Sequence, residues 1–109
     1  MVKLIYIMTR KEGMSVAEFQ TYWREIHAPI AAAIPGVRRY VQCHTLPELY
    51  GSRLDPPYDG AAELWYDDLE AMKATFGSEE TAAAREDELK FIDHTKSFMI
   101  VTEEKPIIE

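Results

Sequence analysis

The stretch SVAEFQTYWREIHAPIAAAI, residues 15–34, decides the fold because it has the pattern of an amphipathic helix set between two strand-like runs. Ser15 followed by Glu18 three residues later is a capping box, which marks the start of a helix. Apolar residues then recur at helical spacing and predict one buried stripe, formed by Val16, Phe19, Trp23, Ile26 and Ile30. One side of this helix is therefore expected to pack on a sheet.

Short β-rich runs flank the helix and predict four strands, at residues 2–8, 37–45, 61–66 and 96–104. Two further helices are predicted at 67–76 and 78–94, and the proline- and glycine-containing segment 46–60 is predicted to be a long, functional loop. The order is β-α-β-β-α-β, with the second helical part split in two. This order predicts an α+β, ferredoxin-like fold with an antiparallel four-stranded sheet.

The strands carry apolar residues on both of their faces. Leu4, Tyr6 and Met8 alternate with Ile5 and Ile7 in the first strand. Helices on one side of the sheet leave the other side bare, and water is a poor neighbour for an apolar face. We therefore expect a second copy of the chain to cover the bare face, which gives a homodimer that packs sheet to sheet.

Composition and charge narrow the class of protein. A chain of 109 residues is expected to form a single domain, 1–109. The net charge is −7 without a basic stripe, and no apolar run approaches about 20 residues, so neither nucleic-acid binding nor a membrane span is expected. The single cysteine, Cys43, and the absence of a basic, apolar leader at the start lead us to expect a cytoplasmic protein.

His27 is the first candidate for chemistry, because it lies on the buried stripe four residues after Trp23. Pro29 follows two residues later, so we expect the helix to weaken or bend near His27. The ring is either a structural histidine bonded to a backbone carbonyl or a general acid–base group, since imidazole titrates near neutral pH. Tyr40, on the second strand, is either a core tyrosine or a donor to a developing oxyanion.

Four further residues are predicted to contact a ligand: Tyr6, Trp23, Glu63 and Trp65. Glu63 is a carboxylate within an apolar strand, on the same face as Trp65. The alternative for Glu63 is an ion pair with a lysine or arginine at the surface or at a dimer seam. No cofactor is expected, because the histidines share no ligand spacing for a metal and the glycines are isolated, without a dinucleotide or phosphate-loop motif. A flavin or haem bound without a motif stays open as an alternative.

Three segments resemble the EthD family, named for ethyl tert-butyl ether degradation. They are the Trp23-x-x-x-His27 pair, IPGVRRY (34–40) and PYDGAAELWYDDLEAMKATFGSEE (57–80). The resemblance implies a dimeric α+β barrel with a pocket between sheet and helices. The chain is also similar to the 4-methylmuconolactone methylisomerases, in which a histidine and a tyrosine at the positions of His27 and Tyr40 line the active pocket. Leu64 stands where those enzymes carry a reactive cysteine.

Together these features lead us to expect a small cofactor-independent enzyme, in which His27 moves a proton and Tyr40 holds an oxyanion. Its substrate would be a hydrophobic lactone, phenol or other enolisable catabolic or polyketide-like molecule, and its reaction that of an isomerase, lyase or cyclase. Two alternatives remain open: an accessory protein that binds a small molecule for a partner oxygenase, and an oxidoreductase, either an oxygenase or a reductase.

Overall fold

A computed structural model describes all residues, 1–109. Its strands are β1 (Val2–Met8), β2 (Arg39–His44), β3 (Gly60–Tyr66) and β4 (Phe98–Thr102). The first helix spans 16–32, the second Leu69–Thr75 and the third Glu79–Glu88, with 3-10 turns at Pro47–Leu49 and His94–Lys96. The predicted fold class, an α+β ferredoxin-like arrangement, is confirmed. None of the helices combines the length and apolarity needed to cross a membrane.

The four strands form one antiparallel sheet in the order β2-β3-β1-β4. In this register Leu4 lies opposite Leu64, which in turn lies opposite Tyr40, so these side chains share one face. That face meets the helices and carries most of the buried core, including Leu4, Tyr6, Met8, Ala62, Leu64 and Tyr66. The alternation predicted for the first strand is therefore correct.

The first helix begins as predicted but changes its winding in the middle. The capping box of Ser15 and Glu18 is formed, and Val16–Thr21 is α-helical. Tyr22–His27 is a π-helix, in which the Ala28 amide donates to the carbonyl of Trp23, five residues back. The α-helix resumes at Ala28–Ala32. The irregularity expected near His27 is thus a wider turn, a form that often occurs at functional sites.

The wider turn changes which residues are buried. Phe19, Trp23, His27 and Ala31 are buried, whereas Ile26, predicted to lie on the buried stripe, is 51% exposed. A π turn holds more residues than an α turn and keeps residues four apart in line, so Ile26, three after Trp23, points to the side. The prediction for Ile26 is wrong for this reason.

The third helix ends at Glu88, six residues before the predicted end at residue 94. The chain then runs beside the end of β1, where the Lys11 amide donates to the Phe91 carbonyl and the Asp93 amide donates to the Thr9 carbonyl, both at 2.9 Å. Phe91 is fully buried. The amides of residues 89–92 still donate to carbonyls at the end of the helix, and the backbone here bonds to the backbone of the loop after β1 only through the Phe91 carbonyl and the Asp93 amide. Phe91 thereby lies against Phe19 and Tyr22 of the first helix.

The opposite face of the sheet has no helix on it. Its side chains come from Ile5, Glu63, Val41 and Ile100, which lie opposite one another across the four strands. Cys43 is exposed on this face. Several β4 side chains are about half exposed, among them Phe98 at 46% and Ile100 at 48%. The bare face expected from the sequence is present.

Candidate active site

His27 forms a buried dyad with Asp87 of the third helix. The His27 Nδ1 to Asp87 Oδ2 distance is 2.8 Å, and both side chains are 6% exposed. The Tyr22 hydroxyl donates to the other oxygen, Oδ1, at 2.6 Å. Burial raises the pKa of Asp87, but the hydrogen bonds from the Tyr22 hydroxyl and the His27 ring together outweigh it and hold that pKa below its usual range. An ionised carboxylate only accepts, so the Nδ1 atom of His27 carries the proton.

The other ring nitrogen of His27, Nε2, is free to act. Nε2 makes no hydrogen bond within the protein. Every fully buried side-chain nitrogen or oxygen has a hydrogen-bond partner, so Nε2 is not fully buried and reaches open space. Burial lowers the pKa of His27, and Asp87 opposes that shift without reversing it. The ring is therefore neutral near pH 7 and presents a basic lone pair. Asp87, rather than Glu63, is the carboxylate that acts on His27.

Tyr40 is oriented by a hydrogen-bonded chain along β2. The Gln42 amide Nε2 donates to the Trp23 carbonyl at 2.9 Å and to the Tyr40 hydroxyl oxygen at 2.8 Å. The carbonyl can only accept, which fixes the orientation of the amide. His44 Nε2 lies 2.8 Å from the Gln42 side-chain oxygen and so donates to it. Because Tyr40 accepts from Gln42, its own proton remains available for a ligand.

Burial raises the pKa of Tyr40, which therefore stays protonated at neutral pH. Trp23 packs beside it, stacked on His44 with ring centroids 4.3 Å apart. Gly60 permits this packing: a Cβ there would lie 2.6 Å from the Trp23 ring and 2.8 Å from the Cys43 carbonyl oxygen. The indole can reach this position only because residue 60 has no side chain.

His27 and Tyr40 line one narrow cavity of about 90 Å³ between the sheet and the helices. Most of the wall is apolar, from residues such as Leu4, Leu64 and Ala84. The side chains in the wall that carry polar groups include His27, Tyr40, Tyr6, Tyr66, Thr81, Arg85 and Glu88. An apolar cavity with a few converging polar groups is the usual form of a small-molecule site.

The cavity opens toward the third helix and β4. Met99 is 52% exposed and Phe76 is 39% exposed at this opening. Tyr6, on β1, lines the cavity, and its hydroxyl lies 2.9 Å from His94 Nδ1. Burial, together with the charge of Glu88, raises the pKa of Tyr6 to about 12. His94 contacts the polar end of Tyr6.

The structure brings together four of the six predicted site residues: His27, Tyr40, Trp23 and Tyr6. The other two, Glu63 and Trp65, lie on the bare face of the sheet and cannot contact the same ligand.

Glu63 pairs with Lys3 at 3.0 Å, the alternative foreseen for it. Trp65 packs against Lys3 and Arg39, and its indole N–H donates to Glu104 at 2.7 Å. Their predicted placement in the site with His27 is wrong, because their strand positions have the opposite parity to Leu64.

Sequence reasoning missed three residues, Asp87, Glu88 and Gln42. The run Glu86-Asp87-Glu88 reads as a solvated helix face, yet Asp87 is 5% exposed. Its contact with His27 joins residues 60 positions apart, which a helical pattern does not reveal. One feature of the sequence indicates Gln42: it lies two residues from both Tyr40 and His44, and residues two apart point to the same side of a strand.

The loop 46–60 contributes only Gly60 to the surroundings of Trp23 and no side chain to the cavity. Asp59 anchors this loop: its carboxylate accepts from the Arg10 side chain at 2.6 Å and from the Tyr50 hydroxyl at 2.6 Å. The loop therefore does not line the cavity. No group of three or more histidine, cysteine, aspartate or glutamate side chains is placed to hold a metal ion.

Comparison with known proteins gives a family and a set of similar structures. Residues 11–95 match the model of the EthD domain. An ethyl tert-butyl ether degradation (EthD) family protein from Bacillus halodurans is 26% identical, with a TM-score of 0.79 over 96% of this chain and 99% of that one. None of the curated proteins shows significant similarity.

More distant structures share the fold. A dimeric protein of unknown function with a ferredoxin-like fold from Bacteroides fragilis is 17% identical, with a TM-score of 0.65 over 94% of each chain. SnoaB, a cofactor-independent oxygenase from Streptomyces nogalater, is 16% identical, with a TM-score of 0.67 over 99% of this chain and 97% of that one.

Proposed function

Because the chain belongs to the EthD family, we propose that it is a small cofactor-independent enzyme that moves a proton on an enolisable, hydrophobic molecule. The observation that carries this proposal is the His27–Asp87 dyad, whose free Nε2 opens into an apolar cavity that also contains the Tyr40 hydroxyl. Lactones and phenols have the required chemistry, an acidic C–H or O–H beside a group that can hold negative charge.

The geometry divides the work between two residues. His27 Nε2 removes a proton from the carbon next to a carbonyl, and Asp87 stabilises the imidazolium that forms. The electron pair of the broken C–H bond moves to the carbonyl oxygen, which accepts a hydrogen bond from Tyr40. Removing a general base typically costs ~10²–10⁴-fold in rate, and removing one oxyanion donor ~10²–10³-fold.

The dry wall of the cavity supports this chemistry. Charge interactions strengthen where water is excluded, so the Tyr40 donor is worth more in an apolar cavity than at a surface. Trp23 and Leu64 leave little room for bulk water beside the dyad. A protein that only stores a hydrophobic molecule has no need of an ionised aspartate behind a histidine.

A homodimer that packs through the bare sheet faces forms part of the proposal. The apolar residues Ile5, Val41 and Ile100 on that face support it, as does the dimeric protein from Bacteroides fragilis. In such a dimer Glu63 and Trp65 would lie at the seam, away from the chemistry. The cytoplasmic location stays a prediction from the single cysteine.

Hydrogen exchange at carbon tests the proposal. α-Angelica lactone is a small enolisable lactone, and incorporation of deuterium at its C3 position in D₂O reports proton abstraction without requiring a complete reaction. We expect the protein to accelerate C3 exchange, and His27→Gln to lower it by about 100-fold or more while the melting temperature changes little. Unchanged exchange in a folded His27→Gln protein would refute the assignment of the base.

The same preparation separates the alternatives. Binding of the lactone, seen as a shift of the melting temperature, without any exchange would indicate an accessory binding protein. Consumption of oxygen with a phenolic ligand would indicate an oxygenase, and dependence on reduced nicotinamide a reductase. Exchange in the absence of oxygen and of any added cofactor supports the proton-transfer enzyme.

A further inference from the structure

Glu88 is a partly buried carboxyl group at the opening of the cavity, and it has no partner. Four residues line both the cavity and the groove outside it, and so mark the opening: Tyr6, Arg85, Glu88 and Met99. No side chain or backbone group bonds to the Glu88 carboxyl. Every fully buried side-chain oxygen has a hydrogen-bond partner, so the Glu88 carboxyl is not fully buried. The carboxyl therefore faces the open space at the mouth.

Asp87 and Glu88 are neighbours on the third helix, but they face different surroundings. Consecutive residues of an α-helix point about 100° apart. Asp87 points to Tyr22 and the back of the His27 ring, whereas Glu88 lines the cavity. One short segment thus supplies both the carboxylate that holds the base and a separate carboxyl group for the ligand.

The surroundings of Glu88 keep a proton on it near neutral pH. Burial raises the pKa of Glu88 to about 7, Asp87 adds to the shift, and Arg85 opposes it. The other titratable groups around the cavity and its mouth are Tyr6 on β1, Tyr40 on β2, Tyr66 on β3, His27 on the first helix, Glu86 on the third helix and His94 beyond it. A carboxyl group that titrates near the working pH is well suited to general acid catalysis.

We propose that Glu88 is a second acid–base residue of the cavity, which gives a proton to the outer end of the ligand after His27 has taken one from its inner end. This inference rests on the proposed function and makes its chemistry specific. The substrate class is then a carbonyl compound or lactone with a β,γ double bond, and the reaction is migration of that double bond into conjugation.

The step balances without an added reactant. His27 Nε2 takes the proton from the carbon α to the carbonyl, and the electron pair forms a dienolate whose oxygen is held by Tyr40. The γ carbon then takes the proton from the Glu88 carboxyl as the carbonyl re-forms. Imidazolium and carboxylate return to their starting states by losing and gaining one proton to solvent, and the exposed groove beside His94 gives Glu88 access to water.

α-Angelica lactone tests the inference, because its two protons can be followed separately. Removal at C3 appears as deuterium exchange, and delivery at C5 appears as conversion to β-angelica lactone, both visible by NMR. We expect Glu88→Gln to slow conversion by about 100-fold while C3 exchange stays within a few-fold of the unmodified protein. Glu88→Asp, which keeps the acid, should restore part of the conversion.

A matched control is Glu79→Gln, in the first turn of the same helix, which makes the same substitution at an exposed position outside the cavity. It should leave both rates unchanged. In D₂O, the product should carry deuterium at C5, because Glu88 draws its proton from solvent.

Equal conversion by folded Glu88→Gln, or retention of the hydrogen from C3 at C5, would overturn the inference and show that His27 carries the proton both ways. Absence of C3 exchange in the unmodified protein would overturn the proposed function instead, and this inference with it.

Discussion

Replacing Asp87 with asparagine should disable His27 while leaving the ring in place. The asparagine side chain keeps the size of aspartate and can still accept from Tyr22. It loses the negative charge and can turn an N–H toward Nδ1 of His27, which stabilises the tautomer that carries its proton on Nε2. A ring in that tautomer presents no lone pair to the cavity and cannot act as a base.

The size of the effect follows from the two bonds that Asp87 makes. We expect C3 exchange of α-angelica lactone to fall by about 10²–10⁴-fold, the usual contribution of a general base. Asp87 is 5% exposed and accepts at 2.6 Å and 2.8 Å. Hydrogen bonds to a charged group contribute ~1.5–3 kcal/mol each, so we expect asparagine to lower the free energy of unfolding by roughly 2 kcal/mol. In a domain of this size that corresponds to a melting temperature lower by roughly 10 °C.

The loss of stability should depend on pH. The His27 pKa is already lowered from its ordinary value of 6.5, so the unfolded chain binds more protons as the pH falls through that value. The stability that the neutral, buried ring of His27 contributes is therefore present above this pH and is lost below it. Without Asp87 the pKa of His27 in the folded protein falls further, so stability is lost over a wider range of pH. The deficit of Asp87→Asn should be larger at about pH 5 than at about pH 8.

Thermal melts at the two pH values and C3 exchange by NMR, on one preparation, measure both effects. Tyr22→Phe is the matched control, because it removes the 2.6 Å bond to Asp87 but keeps the contact with His27. It should lower stability and retain most of the exchange. Full exchange activity in folded Asp87→Asn would refute the reasoning, since the base would then function without its carboxylate.

Two further predictions concern packing and assembly. Gly60→Ala should lower the free energy of unfolding by ~1–3 kcal/mol in a denaturant melt, because the new Cβ meets the Trp23 ring and the Cys43 carbonyl. Gly77→Ala, with open space around it, should be neutral. Equal stability of the two variants would contradict the close-packing argument. Ile5→Asp on the bare face should give monomer or insoluble protein in sedimentation. Ile26→Asp, on the exposed side of the first helix, should leave assembly unchanged. A stable monomer of the unmodified chain at micromolar concentration would contradict the dimer.

The fold could be predicted because its signals are local. The capping box of Ser15 and Glu18 and the alternation of β1 each lie within a few residues, and both are present in the structure. The end of the third helix could not be predicted in this way. Residues 89–93 have no breaker among them, and the backbone partners of the Phe91 carbonyl and the Asp93 amide, Lys11 and Thr9, lie about 80 positions away.

The site residues show the same difference between local signals and contacts that are distant in the sequence. His27 could be found because it stands out on an apolar stripe, and Tyr40 because it follows a turn into a strand. Asp87 could not, since its three-residue acidic run is typical of a solvated surface and only packing against the first helix reveals its role. Glu63 and Trp65 were misplaced because the relative parity of two strands depends on register, which the sequence of either strand does not specify.

The π turn at Tyr22–His27 also determines where the chain tolerates a change of length. Deleting one residue between Trp23 and His27 would remove the extra residue that the π turn holds, so the helix could close with ordinary α winding while the residues on either side keep their orientation. A deletion in the regular part that precedes the π turn would instead rotate every later position by about 100°, turn His27 away from Asp87 and break the dyad. The loop 46–60, by contrast, adds no side chain to the cavity, so insertions and deletions should accumulate there among relatives and spare the first helix.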